Sequence, residues 1–249
     1  MSDLGALIDD LEAEQRALAD DVRAIDADAW FTPTPAWGWD VRDTIAHLAH
    51  TDEMAVETMH DRPGAINAVA QVSASGPDVT YRGVLEGRRQ TGPDVLAWWE
   101  RASQAERAEL TALAPDTRVA WGIGMRAPSF VTARLMETWA HSLDVRAALD
   151  IPAADTDRLA HVAWLSTRAL PYAYSVAGRE PPPGALRVEL TLPSGVAWTS
   201  GPEDAPNRIR GSASDYCRVF VHRRQVGDTA LEAEGDVAVD ALAVARAFL

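Results

Sequence analysis

The chain has 249 residues and a formal net charge of −14. That balance excludes a general binder of the phosphate backbone, whose affinity comes from clustered Lys and Arg. A single cysteine, Cys217, excludes an intrachain disulfide framework, and no apolar run approaches the ~20 residues of a membrane span. Acids in MSDLGALIDDLEAEQ stand where an export signal needs a basic start, so the expected compartment is the cytoplasm.

Residues 3–25 read as an amphipathic helix, with Leu4, Leu7, Ile8, Leu11, Leu18, Val22 and Ile25 at three- and four-residue steps. The passage TPTPAWGWD follows, and its prolines and glycine forbid regular helix. Trp37 and Trp39 are costly to expose there, so this loop is expected to pack onto the helices. Asp40 is placed to cap a second helix, Val41–His60, which carries Val41, Ile45, Leu48, Ala49 and Met54 on its apolar face and His47 and His50 at i and i+3. Residues 63–80 read as loose. A third helical region runs over 81–114, broken at Gly92-Pro93, and Thr117 to Ala127 reads as a loop.

The fourth helix, 129–150, is read as opening at Pro128 and Ser129 and is more apolar than a solvent-covered helix needs. Within it Glu137 and His141 stand at i and i+4 on one face, with Asp144 three residues on. A carboxylate and an imidazole on an apolar helix are costly to bury unless paired or bound to a cation, and together they offer an oxygen and a nitrogen to a divalent metal. Taken alone, such a pair is more often a solvated acid beside a satisfied histidine.

Composition changes after Ile151-Pro152, which sets expected domains at 1–152 and 153–249. The second opens with a helix over 156–177, kinked at Pro171. Strands follow at 186–192, 196–199 and 208–211, the first two joined by a Pro193-Ser194-Gly195 hairpin. A helix capped by Ser212 or Ser214 runs to His222, with an edge strand near 230–235 and a terminal helix over 237–249. The expected class is α+β in two domains: a helix bundle, then a smaller α+β layer.

Two motifs read together identify a family. The run from Thr32 through Trp37, Asp40, Arg42 and Asp43 to His47-Leu48 resembles the entry to the second helix in mycothiol-dependent maleylpyruvate isomerase-like proteins. These belong to the DinB-like superfamily of metal-binding four-helix bundles. Glu137-Thr138-Trp139-Ala140-His141 with Asp144 is similar to that family's later motif, and the second half resembles its sterol-carrier-like domain. Ala36 stands where members often carry Gly before the Trp.

The resemblance implies that His47, Glu137 and His141 are metal ligands. Two imidazoles and a carboxylate suit Zn²⁺ with a fourth position left open, although other divalent metals accept the same set. Asp144 would hold a ligand imidazole by its other nitrogen. The implied cofactors are the metal and mycothiol, whose thiol would be activated for isomerisation of, or transfer to, a small electrophilic or anionic substrate. Arg223 or Arg224 would clamp an anionic substrate, against the plainer reading of basic residues complementing a helix C-terminus. His50 is read as pointing partly away from the site, and Cys217 as buried or neutral. Neither nucleic acid nor membrane is an expected partner, and the long first helix is suited to pairing in a homodimer. Two alternatives stay open: a metal-dependent hydrolase or lyase that uses no thiol, and a non-catalytic metal-binding protein.

Overall fold

The computed structural model describes residues 3–60, 78–121 and 124–247. Most of the stretch expected to be loose, 63–80, and the last two residues of the expected terminal helix lie outside them. The chain forms two compact units, residues 1–153 and 154–249, the first almost wholly helical and the second built on a small sheet.

In the first unit, helix α1 (Leu4–Arg23) starts where the Asp3 carboxylate accepts the Gly5 N–H at 3.3 Å. It buries Leu4, Leu7, Leu11, Leu18 and Val22 along one stripe. Helix α2 (Val41–His60) opens with a reciprocal cap: Asp40 accepts the Asp43 N–H at 2.7 Å and Asp43 accepts the Asp40 N–H at 3.3 Å. Helix α3 (Asp78–Gly87) and helix α4 (Gly92–Ala112) both pack on α2. Thr91 caps α4, and Gly92 lets it approach closely, since a Cβ there would sit 2.1 Å from the Trp30 ring.

The segment read as a loop, 117–127, contains a two-residue hairpin, β1 (Arg118–Val119) with β2 (Met125–Arg126). Helix α5 (Ala127–Ala148) follows directly and packs on α1 and α2. It starts at Ala127, two residues before the expected Ser129. Pro128 lies in the first turn, where its missing N–H would have been unpaired anyway. The core joins Leu18 and Val22 of α1, Ile45 and Leu48 of α2, Val95 and Trp99 of α4, Val145 of α5, and Trp30.

The second unit opens with α6 (Leu159–Arg168) and α7 (Leu170–Val176), two helices where the sequence suggests one kinked helix. Pro171 cannot continue the ladder of the preceding helix but fits the first turn of a new one. Strands β3 (Leu186–Thr191), β4 (Ala197–Ser200), β5 (Asn207–Ser212) and β6 (Glu232–Glu234) form a sheet of order β4-β3-β5-β6. The β3–β5 pair is parallel and the other pairs are antiparallel. Val188, Leu190 and Ile209 are buried, as are Tyr216 and Phe220 of α8 (Ala213–Phe220), whose cap is Ser212 accepting the Asp215 N–H. Helix α9 (Asp236–Ala243) is shorter than the pattern suggests. Among the described residues no helix is long and apolar enough to cross a membrane.

Candidate metal centre

Helices α2 and α5 bring His47, Glu137 and His141 together, with donor atoms all within 4.8 Å of one another. Glu137 Oε1 lies 3.0 Å from His47 Nε2 and 3.4 Å from His141 Nε2. Tetrahedral zinc with bonds near 2.0–2.1 Å would space its donors about 3.3 Å apart. The carboxylate therefore already stands at ligand spacing from both imidazoles, whereas the widest donor pair, within 4.8 Å, would have to close on a bound ion; the chemistry of the donor set suits a zinc-class cation.

Each imidazole is oriented by a different device. His141 Nδ1 lies 3.1 Å from Asp144 Oδ2, and Asp144 is only 2% exposed. That pairing directs His141 Nε2 toward Glu137, the arrangement by which outer carboxylates aim metal-binding histidines. His47 Nδ1 is buried and has no hydrogen-bond partner among the described residues. Its ring is held by packing instead. The Trp39 indole lies 4.9 Å from the His47 ring and 6.1 Å from the His141 ring, nearly parallel to the latter.

Burial by itself would raise the Glu137 carboxyl, but hydrogen bonds from His141 and His47 hold it well below the usual carboxylate range. Burial lowers His47, outweighing its bond to Glu137, and so favours the neutral imidazole that a metal requires. For His141 burial again favours the neutral ring, and here the bonds to Asp144 and Glu137 prevail and raise it. The two carboxylates thus favour the protonated ring of His141.

Only one of the two loop tryptophans packs as expected. The Trp39 N–H donates to Ala36 O at 3.0 Å, and Gly38 at φ 78 completes a tight turn. Trp37, at the turn's outer corner, is 98% exposed. Arg88 secures this loop, donating to Gly38 O at 2.9 Å and to the buried Asp43 carboxylate at 2.7 Å.

His50 is not in the donor cluster. It lines a separate cavity of about 390 Å³ with Glu53, Glu86 and Trp98. Arg223 and Arg224 follow α8 in the second unit. Arg223 Nη1 donates to Val221 O at 2.8 Å, and Arg224 pairs with Asp215 at 2.6 Å. Cys217 is fully buried with Sγ 3.7 Å from Leu159 O, and burial pushes its thiol well up, so it is inert.

The sequence reading missed a buried ionic group beside the triad. Arg134, three residues before Glu137, bonds Glu106 at 2.8 Å and Asp52 at 2.5 Å, and all three are almost wholly buried. The available signal was an arginine one turn before Glu137 in an otherwise apolar stretch.

A family model for the mycothiol maleylpyruvate isomerase N-terminal domain matches residues 11–146, a span that contains the whole triad. Uncharacterized proteins from two Mycobacterium tuberculosis strains are each 36% identical over all of this chain and 97% of their own length. A crystal structure of the mycothiol-dependent maleylpyruvate isomerase superposes with a TM-score of 0.59 at 15% identity, covering 93% of each chain. One of its point mutants gives 0.60 at 13% identity, with the same coverage. At those identities the superpositions speak for the fold, while the family model covers more than half of the chain: this chain belongs to the mycothiol maleylpyruvate isomerase family.

Proposed function

We propose that the protein is a metal-dependent, mycothiol-using enzyme that isomerises a small electrophilic substrate or transfers the thiol to it. The carrying observation is the convergence of His47, Glu137 and His141, with ligand-like spacing about Glu137, inside the segment that matches the family. These side chains would hold a zinc-class divalent cation and leave one position open. When bound, that cation supplies Lewis acidity that lowers a thiol's pKa, making a thiolate available for addition to an activated alkene or for displacement.

The chain's own residues do the rest of the positioning. Asp144 fixes His141, and Trp39 fixes His47 and covers one side of the imidazole pair. Burial favours the neutral His47 that a metal would need, whereas ligation by His141 would require loss of the proton that Asp144 and Glu137 favour. For an anionic substrate the cationic partners in this reading are Arg223 and Arg224, and engaging Arg224 competes with its pair to Asp215.

Elemental analysis and calorimetry with mycothiol or a glucosamine–cysteine surrogate test this on wild type and His141→Ala. About one metal per chain, lost in the variant, with thiol binding that needs the metal, is the expected result. Metal without thiol binding would move the function to hydrolytic, lyase or structural roles on the same site. A metal-free wild type, prepared without chelators, would end the metal-enzyme reading.

A further inference from the structure

Arg134 lies on α5 one turn before Glu137 and is 2% exposed. Its Nε donates to Glu106 Oε1 of α4 at 2.8 Å, and its Nη2 donates to Thr51 Oγ1 and Asp52 Oδ1 of α2 at 3.0 and 2.5 Å. The acceptors are engaged further. Asp52 Oδ2 accepts the Trp99 indole N–H at 3.0 Å, and Glu106 Oε2 accepts from Gln15 of α1 at 3.2 Å. The Trp121 ring, beside the β1–β2 hairpin, lies 5.6 Å from the guanidinium carbon. One side chain therefore links α5 to α2 and α4 directly, and to α1 through one intermediary.

The network lies one turn from the metal donors on both helices that supply them. On α2, Thr51 follows His47 by four residues; on α5, Arg134 precedes Glu137 by three. His47 faces Glu137, and Thr51 and Asp52 face Arg134, so the two helices run antiparallel with both pairings in one register. Apolar packing between helices is non-directional and tolerates small sliding. A planar guanidinium with fixed donor directions does not. A shift of one residue along α2 is a rise of about 1.5 Å, enough to break the Arg134 bonds and the spacing of the metal donors together. As a device for stability alone the network is a poor choice, because a buried ionic group costs more desolvation than apolar residues of the same volume.

We propose that Arg134, with Asp52 and Glu106, is a positioning network that sets the register of α2 against α5 and thereby the geometry of His47 relative to Glu137 and His141. This rests on the metal-site reading above. Arg134 touches neither metal nor substrate; it acts through the helices that carry the ligands.

The test compares zinc affinity, by chelator competition, with thermal unfolding of the metal-free protein. The variants are Arg134→Lys, the apolar replacement Arg134→Met/Asp52→Leu/Glu106→Met, the mild Thr51→Val, and Val22→Ala as a control that destabilises the same bundle elsewhere. Arg134→Lys and the apolar triple variant are expected to lose about 10–100-fold in zinc affinity, the range for an outer partner of a metal site. Thr51→Val should lose a few-fold, and Val22→Ala should keep wild-type affinity despite its lower midpoint. If the larger variants do not fold, Thr51→Val against Val22→Ala decides by itself. Wild-type zinc affinity in folded Arg134 variants or in Thr51→Val, or an equal loss in Val22→Ala, would overturn the inference. A wild type that binds no zinc, or a His141→Ala that binds it normally, would instead overturn the metal-site reading.

Discussion

The two units handle charge in opposite ways. In the first, Asp52, Glu106, Arg134 and Asp144 are buried and nearly inaccessible to water. In the second, the largest charge group lies on the sheet, where Glu189 of β3 meets Arg187, Arg208 and Arg210 at 2.7–3.3 Å with its side chain 28% exposed. Exposed pairs of the second kind are screened and contribute little. Buried ones of the first kind cost desolvation and persist where they fix a geometry. The helical unit has placed these four costly groups next to three potential metal ligands, whereas among the described residues of the sheet unit no charged side chain is as deeply buried. That difference marks where chemistry is expected.

The comparison breaks first at the ligands. Glu137→Gln should abolish zinc binding, a larger effect than the ~10–100-fold typical of losing an outer partner, while Glu189→Gln should leave it unchanged; chelator competition reads both. Asp144→Asn should weaken zinc by about 10–100-fold with the fold intact, because it frees His141 to rotate. The two loop tryptophans sharpen the contrast within one turn. Trp39→Ala should cost about 1–3 kcal/mol in thermal unfolding, and the 98% exposed Trp37, changed to Ala, within about 0.5 kcal/mol.

The smallest effects are in pH dependence, and their signs oppose. Burial, reinforced by Asp52, raises Glu106 from 4.5 to about 8. Asp52 and Glu106 share the single charge of Arg134, so the folded cluster takes up a proton more readily than the unfolded chain, and stability falls as pH rises from about 4.5 to about 8. Glu106→Gln should flatten the midpoint over that window. Burial also acts to raise Glu189, but bonds from Arg210 and Arg187 hold it below the usual range. Its contribution is present at neutral pH and is lost as pH falls through the lowered value, so Glu189→Gln should remove a loss of stability on the acid side. A common slope for the two variants would erase the distinction between the units.

Local physics explains what could be read without the fold. The apolar stripe of α1, the cap at Asp40, the interruption just before Gly92-Pro93 and the alternation of β3 are set by residues within a turn or two of each other. Glu137 and His141 share a helical face by periodicity alone. Joining His47 to them depended on a family resemblance, since ninety residues separate His47 from Glu137 and no local rule spans that distance. Pro171 shows the same boundary on a smaller scale: the sequence marks an interruption, but whether a kink or two helices results depends on what each segment packs against.

The sequence by itself determined the class of the main helices and of the sheet strands, the helix carrying Glu137 and His141, and the family, because periodicity, capping and short motifs are local or carried in order along the chain. Only the tertiary structure decided that Trp39 lies against both imidazoles while Trp37 points to solvent, and that Arg134 joins Asp52 and Glu106 one turn below the ligands. Those outcomes depend on which faces of α2, α4 and α5 meet and in what register. That is a property of side chains distant in sequence competing for the same buried volume, and no single segment encodes it.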